Sequence, residues 1–148
     1  MLALASVLLV IESCAVPSTG AEKIGGFSLV GTWSGYYKIG SQWGNPEANL
    51  KLTIDEVVND HVKGTWARYL SDSGGYECFN VTYPADGTIE GNRLKLNIHG
   101  ITGKCPDRYV FITISADHLQ GSYSGDAGVP ADVVLKKSLF QRSANCDC

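Results

Sequence analysis

The side chains that could do acid–base or metal chemistry are spread along the chain rather than grouped. The histidines stand singly at the ends of predicted strands and form no metal-binding motif: His61, His99 and His118. Acidic residues gather around one predicted turn: Asp55, Glu56 and Asp60. A charged hairpin tip is the simpler interpretation, because a paired-carboxylate glycosidase site also needs a substrate cleft. No Gly-x-Ser-x-Gly motif occurs, so the sequence predicts no enzyme, no metal site and no cofactor.

The five cysteines are the remaining reactive groups. We expect a disulfide between Cys78, in a strand predicted over 76–83, and Cys105, in the loop before a later strand, because an exported chain tends to pair its cysteines. Cys146 and Cys148 end the sequence. Since two thiols without a histidine make a poor zinc site, we interpret them as bridged to each other or to the barrel rather than as a metal or redox site.

Residues 1–15 have the character of an export leader. The segment 2–11 is apolar except for Ser6. It is too short to span a bilayer as a helix, which takes about 20 residues, and it matches the core of a signal peptide. The sequence therefore predicts a secreted or periplasmic protein.

Two endings of this leader remain open. Residues 10–14 resemble a bacterial lipoprotein box, which would lipidate Cys14 and anchor the protein at a membrane surface, although Glu12 departs from that pattern. In the other interpretation the leader is cleaved after Ala15, with Ser13 and Ala15 as the small residues.

The composition and the net charge indicate a globular protein that does not bind nucleic acid. The chain has 148 residues, is 44% hydrophobic and carries a net charge of -3, which suits one globular domain. No basic stripe occurs, so nucleic acid is not an expected partner, and membrane contact is expected only through the possible lipid anchor. We divide the chain into a signal or lipoprotein leader (1–15), a flexible lead-in (16–28), a β-barrel domain (29–138) and a C-terminal tail (139–148).

Short alternating segments separated by turn residues predict an all-β protein. Eight strands are expected, over 29–39, 49–57, 61–70, 76–83, 93–99, 108–115, 118–124 and 132–137. In the second strand Leu50, Leu52 and Ile54 should face the core. Turns are predicted at residues 59–60 and 84–87. The short sequential connections favour an antiparallel up-and-down barrel over a β-sandwich.

A triplet of glycine, hydroxyl residue and aromatic residue occurs three times, at 31–33, 64–66 and 121–123. The first, Gly31-Thr32-Trp33, resembles the Gly-x-Trp element of the calycin superfamily, which comprises lipocalins, avidins and bacterial relatives. The resemblance implies a small barrel in which Gly31 and Trp33 are structural, with Trp33 at the closed end under Lys136 or Lys137. It also implies a tendency to bind ligands. The other lipocalin motifs and the biotin-binding signatures of avidins are absent from the sequence.

Four residues share the inward parity of this glycine and aromatic face and are candidates to bind a ligand: Tyr37, Trp66, Arg68 and Tyr123. An inward arginine must be paired or meet an anionic ligand, because a buried unpaired charge is costly. Alternatively, a bulge brings Arg68 to solvent, and Trp66 and Tyr123 only fill the core. Trp43, in the first loop, is a candidate exposed contact for a partner.

We therefore expect an exported calycin-like barrel that binds a small apolar or amphipathic ligand in its interior. The alternative is a protein-interaction module that contacts a secreted protein, such as an inhibitor of a secreted hydrolase. Some bacterial protease inhibitors are similar, being small disulfide-stapled barrels behind a signal peptide.

Overall fold

Eight antiparallel strands close into a barrel in the computed structural model of the chain, as the sequence predicts. The structure describes residues 23–24, 27–39, 48–70, 77–124 and 130–138. A two-stranded pair comes first, made of β1 (Lys23–Ile24) and β2 (Phe27–Ser28). The barrel strands follow as β3 (Gly31–Ile39), β4 (Ala48–Val58), β5 (His61–Tyr69), β6 (Val81–Glu90), β7 (Arg93–Ile98), β8 (Arg108–Ile114), β9 (His118–Ser124) and β10 (Pro130–Lys137). Each pairs with its neighbour in sequence, and β10 also pairs with β3, which closes the ring.

Side chains alternate between the interior and the solvent along these strands. In β4 the three residues predicted to face the core are buried, namely Leu50, Leu52 and Ile54. A bulge after Ile54 shifts the register between β4 and β5. Because a bulge adds one residue to one strand, the alternation resumes one position later and Val57 becomes the next buried side chain.

The turn predicted at residues 84–87 is wrong, because these residues lie inside β6. The carbonyl of Pro84 accepts a hydrogen bond from the His99 N–H at 3.0 Å. In an antiparallel strand the backbone N and O of one residue point to the same side, so the nitrogen of Pro84 also faces β7. Proline lacks an N–H, but this position is at the end of the β6–β7 pairing, where a hydrogen bond is not needed. Gly87 serves close packing, since a Cβ there would lie 2.2 Å from the Lys95 carbonyl oxygen.

The strand predicted over 76–83 begins too early. β6 starts at Val81, and residues 77–80 form turns and bends. Asn80 interrupts the extended backbone with a φ of 59°, and its N–H donates to the Arg68 carbonyl at 2.7 Å. Cys78 therefore lies in a loop rather than in a strand. Its disulfide with Cys105 is confirmed, with the two Cα atoms 5.7 Å apart.

The three glycine–hydroxyl–aromatic triplets have a common role in the barrel. Their aromatic residues all point inward and are at most 1% exposed, namely Trp33, Trp66 and Tyr123. The glycines of the second and third triplets lie directly against the backbone of the adjacent strand. A Cβ at Gly64 would be 2.0 Å from a carbonyl oxygen of β4, and one at Gly121 would be 1.8 Å from a carbonyl oxygen of β8. A side chain at either position would therefore force the two strands apart.

The two ends of the barrel are built differently. At one end, which we call the tight-turn end, short connections at 59–60, 91–92 and 115–117 join the strands. Asn59 and Asp60 have φ values of 49° and 62°, as a type I′ hairpin requires, so the turn predicted here is confirmed. At the other end, which we call the loop end, the connections are the longer segments 40–47, 70–80, 99–107 and 125–129.

Trp33 closes the core at the tight-turn end. Its side chain is inaccessible to solvent, and its indole Nε1 donates to the Leu29 carbonyl at 2.9 Å. The Lys137 Nζ lies 5.4 Å from the centre of the indole ring and donates to the Ser28 carbonyl. Of the two lysines that the sequence left open, Lys137 covers the indole, whereas Lys136 is exposed.

Candidate ligand-binding site

The structure brings the four candidate ligand-binding residues together inside the barrel, toward the loop end. Tyr37, Trp66, Arg68 and Tyr123 are each 1% exposed. The interpretation in which a bulge brings Arg68 to solvent is wrong, because the register shift of this sheet lies farther along, at Ile54. The four side chains contact one another inside the barrel, and we call the region that they fill the compartment.

Tyr123 is the centre of this group. Its ring is stacked on the Trp66 indole, with centroids 6.1 Å apart and planes inclined by 11°. The Tyr37 ring lies at 5.9 Å in a tilted arrangement. Such offset and tilted contacts are those that aromatic pairs prefer. The result is a continuous apolar surface of three rings under the loop end.

Arg68 contacts the loop that precedes β6. Its guanidinium Nη2 donates to the Cys78 carbonyl at 3.0 Å, and its Cζ lies 4.5 Å above the Phe79 ring. The Tyr83 hydroxyl donates to the same carbonyl at 3.0 Å. The loop that contains the disulfide therefore fixes the buried cation.

Arg108 is a second buried arginine, which the sequence analysis did not select. It opens β8 and is 5% exposed, with its Cζ 6.0 Å from the Tyr123 ring centre. The Arg68 Cζ is 5.6 Å from the same ring. One signal could have found it, because Arg108 shares the parity of Val110 and Ile112, which face the core. Two guanidinium groups thus lie against one buried tyrosine ring.

The Trp66 indole adds a polar atom to this compartment. Among the described residues its buried Nε1 has no hydrogen-bond acceptor. A buried donor without an acceptor is unfavourable by about 1–3 kcal/mol. The indole that carries this donor stacks on the Tyr123 ring, which both guanidinium groups also contact.

The disulfide links two of the connections at the loop end. Cys78 belongs to the segment between β5 and β6, and Cys105 to the segment between β7 and β8. The carbonyl of Cys78 receives Arg68, while its sulfur is bonded to Cys105. The bridge therefore fixes the position of the guanidinium relative to the barrel. A disulfide is also consistent with an extracellular or periplasmic location.

The histidines lie on the surface, away from this compartment. His99 contacts Asp86, and the His118 Nδ1 lies 2.7 Å from the Asp117 carboxylate. The hydrogen bond with His118 lowers the pKa of Asp117. No group of three or more His, Cys, Asp or Glu side chains that could hold a metal ion occurs among the described residues.

Several residues selected from the sequence lie outside the described parts of the chain. These are Cys14, Trp43, Cys146 and Cys148, together with the leader 1–15. Their predicted roles stay predictions. Within the part of the chain that the structure describes, no helix is long and apolar enough to cross a membrane.

Comparison with family models, with curated proteins and with solved structures finds no match to this chain.

Proposed function

We propose that the protein is a calycin-like barrel that binds a small amphipathic ligand inside its loop end. The observation that carries this proposal is the pair of guanidinium groups, Arg68 and Arg108, within 6.0 Å of the centre of the Tyr123 ring. The apolar part of a ligand would pack on the rings of Tyr123 and Trp66. An anionic head group would receive charge-assisted hydrogen bonds from the arginines.

The calycin assignment is supported by the arrangement at the opposite end. Trp33 lies at the tight-turn end, and the basic Lys137 from the last strand covers its ring. The family resemblance implies this pairing. A barrel closed at one end by packed side chains admits a ligand only through the other end.

The burial of the compartment predicts how a ligand enters. The aromatic and arginine side chains are at most 5% exposed, so they must move aside before a ligand can occupy the interior. Binding that requires such a rearrangement is slower than the typical association rate constant, which is about 10⁵–10⁷ M⁻¹ s⁻¹ for proteins. We expect saturable and slow association.

The binding experiment compares two probes that differ only in the head group. Oleate carries a carboxylate and oleyl alcohol carries a hydroxyl, so oleate should bind more tightly if the arginines contact the head group. Intrinsic tryptophan fluorescence reports the titration, because Trp66 lies in the compartment. Arg68→Met should weaken oleate binding at least tenfold, whereas Arg93→Met, an exposed arginine of β7, should leave it unchanged.

A second measurement identifies the natural ligand. Native mass spectrometry of the protein purified from its own host should show an adduct that denaturing conditions remove. The absence of both an adduct and saturable binding of either probe would refute interior ligand binding.

Export and anchoring belong to the same proposal and have a separate test. Metabolic labelling with a radioactive fatty acid should mark the wild-type protein and not Cys14→Ser if the lipoprotein interpretation is right. If neither protein is labelled while both reach the medium or the periplasm, the leader is instead cleaved as an ordinary signal peptide.

The second candidate function is contact with a secreted protein, such as a hydrolase. It is supported by the exposed turn at residues 101–105, in which the N–H groups of Lys104 and Cys105 donate to the Ile101 carbonyl at 2.9 and 2.8 Å. The disulfide fixes one end of this turn, and Ile101 is 40% exposed. A rigid exposed turn loses little entropy on binding. A hydrolase that co-purifies with the wild type and not with Ile101→Asp would favour this function.

A further inference from the structure

A groove of about 770 Å³ crosses the outer wall of the barrel, on the opposite side of the strands from the interior compartment. We call it the outer groove. One row of cross-strand partners runs through it, from Lys95 on β7 to Phe111, Ser122 and Asp132 on the next three strands. Strands are spaced about 4.8 Å apart, so this row is roughly 14 Å long. A second row, nearer the tight-turn end, contains Arg93, Thr113 and Gln120.

Phe111 is the aromatic surface of the outer groove. Its side chain is 53% exposed, more than any other large apolar side chain among the described residues. The Lys95 Nζ lies over one face of this ring, 5.9 Å from its centre, so the other face is the one that a ligand would cover. An exposed ring in the middle of a sheet face can pack against another flat apolar surface.

The other side chains of the groove are polar and balanced in charge. Glu90 and Asp132 are negative, while Arg93 and Lys95 are positive, so these four charges sum to zero. Gln120 and Ser122, which are exposed between them, both donate and accept hydrogen bonds. The groove therefore offers many hydrogen-bonding groups around one aromatic ring, without a net charge.

We propose that the outer groove binds a neutral oligosaccharide. One face of a pyranose ring carries only C–H groups, which pack on the partly negative face of an aromatic ring such as Phe111. The hydroxyl groups at the edge of the sugar can both donate and accept hydrogen bonds. They can therefore pair with the amide, hydroxyl and charged side chains of the groove. The volume is within the range of about 300–1,000 Å³ found for small-molecule sites.

Other occupants fit the outer groove less well. A nucleic acid or an anionic glycan calls for an excess of positive charge, which the four balanced charges do not supply. An extended peptide binds a sheet by pairing with a free edge strand, but every strand of this closed barrel is paired on both sides. A purely apolar ligand would leave the charged side chains without partners.

The test is a glycan array that carries neutral and acidic glycans, followed by calorimetric titration of the neutral glycan that binds best. Phe111→Ala should weaken binding at least tenfold, and Phe111→Tyr, which keeps the ring, should restore it. Tyr36→Ala is the matched control, because Tyr36 is 47% exposed on β3 and does not line the groove. Since Phe111 is exposed, the variants should fold, and circular dichroism checks this.

A neutral glycan bound with these variant effects supports the proposal. It is overturned if no neutral glycan binds, if only acidic glycans bind, or if Phe111→Ala and Tyr36→Ala behave alike. The outer groove and the interior are separate sites. We therefore expect Arg68→Met, which changes the interior, to leave glycan binding unchanged.

Discussion

The two ends of the barrel differ in the length of their connections and in the side chains that they bury. The tight-turn end uses short connections and an indole capped by Lys137, with no charged side chain among its buried residues that the structure describes. The loop end carries longer connections, a disulfide and the buried Arg68 and Arg108. Burying cations is unfavourable unless other groups stabilise them. The two ends therefore differ in what they bury: the tight-turn end has an apolar core, and the loop end holds two cations.

The largest expected effect is at the tight-turn end. Trp33→Ala removes an inaccessible indole together with its hydrogen bond to Leu29, and truncation of a buried tryptophan lowers the free energy of unfolding by about 3–5 kcal/mol. Tyr36→Ala, on the outer face of the same strand, should change it by less than about 1 kcal/mol. Urea unfolding measures both. Equal losses in the two variants would contradict the role given to Trp33.

The next effect is at the loop end. The Cys78→Ser/Cys105→Ser double variant opens a loop with a sequence separation of 27, for which the chain-entropy model gives a loss of roughly 3.5 kcal/mol. Amide hydrogen exchange should become faster first in residues 77–80 and 99–107. The turn at 59–60 should keep its protection for as long as the protein as a whole stays folded. Faster exchange at the tight-turn end alone would show that the two ends are not separable in this way.

Arg68→Met tests the buried cation of the loop end, because it removes the charge and keeps a side chain of similar volume. The Cys78 carbonyl loses one of its donors but keeps the Tyr83 hydroxyl, so we expect a loss of about 1–2 kcal/mol. Arg93→Met, on the surface near the tight-turn end, should stay within about 0.5 kcal/mol of the wild type. Denaturant titration compares them. A stabilised Arg68→Met would mean that desolvation of the guanidinium outweighs its contacts.

Lys137→Met tests the cap on the indole with a neighbouring lysine as control. The variant removes a cation 5.4 Å from the Trp33 ring and its hydrogen bond to Ser28, which should lower the free energy of unfolding by about 1 kcal/mol. Lys136→Met removes an exposed lysine with no contact to Trp33 in the described structure, and should have an effect within about 0.5 kcal/mol. If both substitutions are equally mild, neither the charge of Lys137 nor its hydrogen bond stabilises the fold measurably.

The smallest effect concerns pH at the tight-turn end. His118 lowers the pKa of Asp117, so the ionised carboxylate favours the folded state above its unfolded pKa of about 3.9, and this contribution is lost as the pH falls through the folded value. Between about pH 5 and pH 3, the Tm of the wild type should fall slightly more than that of Asp117→Asn. Thermal melts at several pH values measure this. Parallel curves would show that the exposed pair contributes nothing.

The fold could be predicted because the apolar residues repeat with the period of two that a half-buried strand requires. The alternation of Leu50, Leu52 and Ile54 survives in the structure unchanged. Residues 84–87 misled the prediction, since their turn chemistry is a local preference, whereas their pairing with β5 and β7 is decided by distant strands. A turn motif predicts a turn only where no neighbouring strand competes for the backbone.

The candidate site was predictable in part for the same reason. Parity placed Arg68 and Tyr123 on one inner face, which is a local property of each strand. It did not indicate that Cys78 would lie in a loop whose carbonyl receives Arg68, because that contact depends on the path of the loop. Arg108 was missed because a charged residue at the start of a strand is usually exposed.

The inward glycines restrict how this sequence can change over evolutionary time. At Gly35, Gly64 and Gly121 even a methyl group would collide with the backbone of the adjacent strand. Substitution is therefore blocked at these three points by backbone contacts alone, whatever the protein binds. Distant homologues of this protein should keep glycines at the equivalent positions after the rest of their sequence has diverged.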